Sequence, residues 1–148
     1  MGKAQLEELN KSGRYFSVPK GVSMRPMIES KRDIIEIRKP ERPVKRYDLV
    51  LYIRGDEQGV IHRVLHVREK YCVIAGDNCW RKEYVPHDKI VGVAVSFCRK
   101  GKWHDVDYPP YKLYVRLWTD LFFIRRPLFY LRDMVKRKLR KLKREKQQ

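Results

Sequence analysis

Short apolar runs broken by turn residues fill the first 110 positions, and a different period takes over after them. Tyr15–Val18, Ile34–Ile37, Asp48–Ile53, Gly59–Val67, Tyr71–Ala75 and Ile90–Phe97 are rich in β-branched and aromatic residues. Their length and composition predict strands. Pro19 with Gly21, Lys39-Pro40 and Arg54-Gly55-Asp56 punctuate them, Gly101-Lys102-Trp103 reads as a turn, and Gly92 suggests a bulge. Along 59–67, alternation puts Val60, His62, Val64 and His66 on one face and Ile61, Arg63, Leu65 and Val67 on the other. Cys79 to His87 reads as an irregular charged loop. Residues 1–14 read as a lead-in whose short helical stretch ends at Ser12-Gly13.

From Tyr111 the apolar positions recur at steps of four and three: Leu113, Leu117, Leu121, Ile124, Leu128, Leu131, Val135, Leu139, Leu142. That is a helical stripe. Pro127 is expected to divide it, sitting in the first turn of a second helix. The organisation read from these patterns is a mainly β domain over 15–110, then one or two amphipathic helices over 111–148. Pro109-Pro110 marks the internal boundary.

Charge sharpens the reading of the helical part. The net charge is +17, and residues 111–148 carry thirteen Lys or Arg against three Asp or Glu. Such a block points to an anionic partner. An amphipathic helix lying on an anionic membrane surface fits it. A helix packed on the β domain with a solvated tail, and a dimerising helix, stay open. Nucleic acid is not indicated, because the β region has no aromatic–basic binding pattern. Cys72, Cys79 and Cys98 are odd in number with no CxxC pair, which suggests neither a zinc site nor a disulfide framework and fits a reducing compartment. No metal or other cofactor is indicated. The first ten residues lack an apolar signal region, and no stretch reaches the ~20 apolar residues of a spanning helix. A cytoplasmic or peripherally membrane-associated protein is expected.

The candidate chemistry lies at Gly21-Val22-Ser23-Met24-Arg25-Pro26. Ser23 sits in a turn bounded by Gly and Pro. Gly21 is expected to allow a backbone that a Cβ would resist, and Pro26 to stiffen the turn. His62 follows on a strand, and Asp77 in the Gly76-Asp77-Asn78 turn. Taken singly, these are a turn serine, a strand histidine and a turn-capping aspartate. Taken in order, Ser23-Met24-Arg25-Pro26, Tyr47-Asp48-Leu49-Val50, His62-Arg63-Val64 and Gly76-Asp77-Asn78 resemble the boxes of the type I signal peptidase family, grouped with the LexA-type repressors. The resemblance spans roughly Val18 to Val95. His62 falls where bacterial members carry Lys and the endoplasmic-reticulum and archaeal type carries His.

The resemblance implies a coiled, strand-rich LexA/signal-peptidase β fold and a metal-independent serine endopeptidase. Ser23 would be the nucleophile, His62 the general base and Asp77 the acid that orients it. The Ser23 backbone N–H, with Gly21, Val22 and Met24, would bind the oxyanion and the substrate. The substrate would be a precursor or leader peptide bound as an added strand beside Ser23, with small residues before the cleaved bond. Some positions depart from the family pattern. Cys79-Trp80-Arg81-Lys82-Glu83 lacks the family's second Asp, and Arg32 precedes Asp33 where a Gly is common. No N-terminal spanning segment is seen, so a secreted or modified peptide precursor, or self-cleavage, stands beside signal-peptide cleavage. His66 is the alternative base. The reading from another class is a non-catalytic peptide-binding or regulatory module whose basic helices bind membrane or nucleic acid.

Overall fold

The computed structural model describes residues 2–55 and 58–145. Asp56 of the expected Arg54-Gly55-Asp56 turn lies outside the described residues, as do Met1 of the lead-in and the last three residues of the helical extension. Eight strands form one antiparallel sheet: β1 (Arg14–Ser17), β2 (Ile34–Arg38), β3 (Leu49–Arg54), β4 (Gln58–Val67), β5 (Tyr71–Ala75), β6 (Glu83–Pro86), β7 (Ile90–Arg99) and β8 (Lys102–Asp105). Helix α1 (Gly2–Ser12) precedes them; α2 (Pro109–Asp120) and α3 (Phe122–Glu145) follow. The protein is therefore mainly β with C-terminal helices, as the hydrophobic pattern predicts.

The strand order is β1-β2-β7-β3-β4-β5-β6, with β8 also paired to β7. Strand β7 holds the sheet together. Ile90 to Val93 pairs with β3, Val93 to Cys98 pairs with β2, and Ser96 to Arg99 pairs with β8. The register slips opposite Val91 and Val95, so the bulged residues flank Gly92. Gly92 serves close packing instead. A Cβ there would lie 2.4 Å from Ile37 Cγ2 and 3.3 Å from both the Arg38 carbonyl and Leu9 of α1.

Strand β3 is buried on both faces. Leu49 and Leu51 join Met24, Ile28, Ile35, Ile37, Phe97, Tyr111 and Val115 in one core, while Val50 and Tyr52 join Val64, Cys72, Ile74 and Val85 in another. The first core ties the serine turn to the sheet through Met24 and Ile28. It also draws in Tyr111 and Val115 of α2, which pack beyond the Pro109-Pro110 boundary. Tyr47 adopts φ +79° just before β3, in the left-handed region that favours glycine.

Four local expectations are overturned. Glu83–Pro86 is a strand rather than loop, paired to β5 from Tyr71↔Pro86 to Ile74↔Glu83. Trp103 lies in β8, the turn being confined to Lys100 and Gly101, both at positive φ. The helix break falls at Leu121, not Pro127. Leu121 donates to the Leu117 and Thr119 carbonyls, and its own carbonyl accepts from Ile124 and Arg125 at 3.1 Å each. Buried Tyr111, Val115 and Thr119, four apart, lie on the same side as buried Phe122 and Arg125, three apart. Pro127 sits inside α3 on an exposed face, where water can meet the carbonyl it leaves unpaired. Finally, the β4–β5 register slips between Val64 and His66. That bulge ends the alternation, so Leu65 is buried with Ala75 and Phe122 and His66 turns out beside it.

Candidate active site

Ser23 lies half-buried in a turn closed by Arg25 N–H to the Val22 carbonyl (3.2 Å) and Ile28 N–H to the Met24 carbonyl (3.0 Å). Buried Met24 and Ile28 anchor the turn in the core. Beyond it, buried Asp33 accepts from the Glu29 N–H at 2.8 Å and from the Arg32 guanidinium at 2.6 and 3.0 Å. Burial would raise the Asp33 carboxyl, but these donors hold it below its ordinary range. Asn78 grips the turn from the other side. Its N–H donates to the Ser23 carbonyl (2.7 Å) and its side-chain amide to the Val22 carbonyl (3.1 Å). Gly21 is not the steric requirement expected of it, because a Cβ there would meet nothing within 4 Å.

Gly76 carries that requirement. A Cβ on it would lie 2.7 Å from the Ser23 carbonyl, 2.8 Å from Cys79 Sγ and 3.0 Å from His62 Nε2. A bare backbone at Gly76 is thus what lets the Ser23 carbonyl and the His62 ring both pack against this residue. Among the described residues no direct hydrogen bond joins Ser23 Oγ to His62, yet both line one cleft with Tyr15 to Gly21 on one side and Gln58 to Ile61 on the other. Among the described residues no acceptor meets the Ser23 backbone N–H.

His62, buried on β4 opposite Val50, points its other nitrogen at an acid. Nδ1 is 3.1 Å from Glu83 Oε1 and 3.2 Å from the Tyr52 hydroxyl. Tyr52 donates to Glu83 at 2.8 Å, and Arg54 donates to both Glu83 oxygens at 2.6 Å. Burial would push the Glu83 carboxyl up, but the bonds from His62, Tyr52 and Arg54 outweigh it and hold it at about 2. Glu83 is therefore a carboxylate at neutral pH and can only accept. The Nδ1 proton goes to it, and Nε2 presents its lone pair toward Gly76 and Ser23. Burial, followed by the Glu83 hydrogen bond, raises the Tyr52 hydroxyl and keeps it neutral.

Asp77 is not the acid at His62. Arg63, one residue on from His62 and so on the opposite face of β4, takes the Asp77 carboxylate in a two-pronged pair at 2.8 and 2.8 Å. Both side chains are about 1 % exposed. Arg63 also donates to the Tyr47 carbonyl and Tyr111 hydroxyl, and Tyr114 donates to Asp77. The Asp77 carbonyl accepts from Trp118 Nε1 at 2.8 Å and from Arg125. Asp77 thus fastens the helices to the sheet behind the site. The alphabet gave a sign of the acid that does reach His62. The stretch without an Asp, Cys79 to Glu83, ends in Glu83, and reading Tyr84-Val85 as a strand would have placed that Glu beside β5.

His66 does not serve the cleft. It lines a separate pocket with Leu65, Trp80 and Phe122. Burial and the neighbouring Arg46, Lys82 and Arg68 lower its pKa. Cys79 Sγ lies nearer the serine turn. Burial, then Glu83 and Asp133, raise its thiol, so it is a poor thiolate at neutral pH.

Comparison of the chain with family models, with curated proteins and with solved structures returned no match. The functional reading therefore rests on the residues and their geometry.

Proposed function

We propose that the protein is a serine endopeptidase of the signal-peptidase type, with Ser23 as nucleophile, His62 as general base and Glu83 as the acid that orients it. The observation that carries this reading is the meeting at Gly76 of the serine turn and His62 Nε2, with His62 Nδ1 held by an ionised Glu83. His62 takes the Ser23 proton as Oγ attacks a peptide carbonyl, and the oxyanion forms beside the Ser23 N–H. The proton passes from Nε2 to the leaving amine, leaving an acyl-enzyme. Water attacks the acyl carbon with His62 again as base, and Ser23 is restored. The substrate enters extended, because among the described residues β1 pairs with β2 alone and its chain runs directly into the cleft.

The test uses a fluorophosphonate acylating probe and a pooled peptide library. Wild type is expected to label at Ser23 and to cleave, with Ser23→Ala and His62→Ala both folded and silent. Labelling that survives either substitution would overturn the reading.

The proposal seats α2 and α3 on an anionic membrane. Among the described residues no helix is long and apolar enough to cross one. Leu113, Leu117, Ile124, Leu128, Leu131, Val135 and Leu139 are all 48–60 % exposed along one stripe, in a segment of strongly positive charge. A second copy would set like charge against like. Anionic lipid is complementary. Co-sedimentation with phosphatidylserine vesicles, lost in Leu128→Asp/Leu131→Asp, is the expected result.

A further inference from the structure

The active-site cleft does not end at Ser23. A second groove of about 590 Å³ continues from it, sharing Gly21, Ser23, Cys79 and Arg81 with the cleft and walled on its far side by α3. Arg132, Lys136 and Arg140 stand four residues apart on that wall, with Arg137 beside them. Steps of four keep one face of a helix, so these side chains form a continuous basic ridge.

The wall is fixed in place. Arg132 donates to the Asn78 side-chain and backbone oxygens, and Asn78 holds the serine turn. Further along the same helix, Arg125 donates to the Asp77 and Trp118 carbonyls. The groove contains one acid, Asp133, and Arg132 engages it at 2.9 Å. No carboxylate among the described residues pairs with Arg81, Lys136, Arg137 or Arg140. Like charges gathered in a concave surface repel one another and focus a positive field, which an anionic occupant relieves.

The ridge is not the surface that the apolar stripe needs for membrane binding. Each ridge residue follows a stripe residue by one position (Leu131 and Arg132, Val135 and Lys136, Leu139 and Arg140), which is about 100° round the helix. The helix thus offers its apolar edge outward and its basic edge to the groove.

We propose that this groove selects peptide substrates carrying acidic residues on one side of the cleaved bond. The proposal rests on the peptidase reading, since it makes the groove a continuation of the catalytic cleft. A peptide is favoured over nucleic acid because an extended chain lying across Ser23 must run into the groove.

The test is direct binding by the full-length Ser23→Ala protein, read by fluorescence anisotropy in about 150 mM salt, where exposed charges are screened beyond ~8 Å. The probes are fluorescein-labelled twelve-residue Gly/Ala/Ser peptides with three Glu in the first third, three Glu in the last third, or none, and a twelve-nucleotide oligothymidylate. One acidic peptide is expected to bind at least about fivefold tighter than the neutral one. Lys136→Glu/Arg140→Glu is expected to abolish that preference. Lys138→Glu/Lys141→Glu, an equal charge reversal away from the groove, is expected to keep it. Three results would overturn the proposal: no acidic preference, an equal loss in both double variants, or tighter binding of the oligothymidylate through Lys136 and Arg140. Cleavage of the same peptides by wild type is scored separately. An acidic preference in binding without any cleavage would count against the peptidase reading and leave the groove's ligand class standing.

Discussion

Gly76→Ala places one methyl group where the site is closest. Ordinary contact begins near 3.4 Å, whereas the new Cβ would lie 2.7 Å from the Ser23 carbonyl, 2.8 Å from Cys79 Sγ and 3.0 Å from His62 Nε2. To make room, the Ser23 carbonyl must retreat by about 0.7 Å and the imidazole by about 0.4 Å. Both shifts disturb the packing of the serine turn and the imidazole on residue 76. The carbonyl is also held by Asn78 at 2.7 Å, so its retreat strains the turn on both sides. Overpacking of this kind costs about 1–3 kcal/mol of stability. Misplacement of reacting groups by about an ångström costs about 10²-fold in rate. The assay is the second-order rate of Ser23 labelling by a fluorophosphonate, with thermal unfolding of the same sample. Gly21→Ala is the control, because its Cβ meets nothing within 4 Å, and it is expected to label at nearly the wild-type rate. If folded Gly76→Ala labels within about threefold of wild type, the claim that Gly76 sets the packing of Ser23 and His62 is wrong.

The two acids near the site are expected to separate cleanly. Glu83→Gln should lower kcat by about 10²–10⁴, since the amide no longer holds His62 in the right tautomer, while the fold survives; a kcat within tenfold of wild type would discount Glu83. Asp77→Asn should instead destabilise by about 3–5 kcal/mol, because it strands buried Arg63; urea unfolding checks this, and a near-neutral result would refute the role given to the pair. Glu83 also sets an acid limit. Its folded pKa of about 2 lies below the ordinary 4.5, so its contribution to stability is complete above pH 4.5 and drains away as the pH falls toward 2. The full displacement corresponds to roughly 3 kcal/mol, nearer 2 allowing for its partial exposure. Urea unfolding across that window should show a smaller loss in Glu83→Gln than in wild type, the remainder coming from other carboxylates held low, such as Asp33.

The sequence made most of the sheet legible because its strands are apolar, β-branched and punctuated by Pro and Gly. It hid β6, where Glu83-Tyr84-Val85-Pro86 is too short and too charged to stand out, and the acid of the site went with it. The local alphabet pointed to Asp77, since an Asp in a Gly-Asp-Asn turn is conspicuous. What decides between Asp77 and Glu83 is which face of β4 each reaches, and adjacent His62 and Arg63 face opposite ways. The bulge at Leu65 was hidden for a related reason: alternation continues on paper, and only pairing with β5 reveals the slip. The helix break falls at Leu121, which carries no Pro or Gly to announce it, while Pro127 is accommodated inside α3 on an exposed face.

Asn78 has partners on two sides. Through its N–H and side-chain amide it holds Val22 and Ser23, and through its oxygens it holds Arg132 of α3. The Ser23 backbone and the basic helix therefore share a single residue as their common joint. Linkage through such a joint is reciprocal. Whatever favours the seated helix also favours the ordered serine turn, and an acylated Ser23 that favours the ordered turn must, to the same degree, hold the helix down.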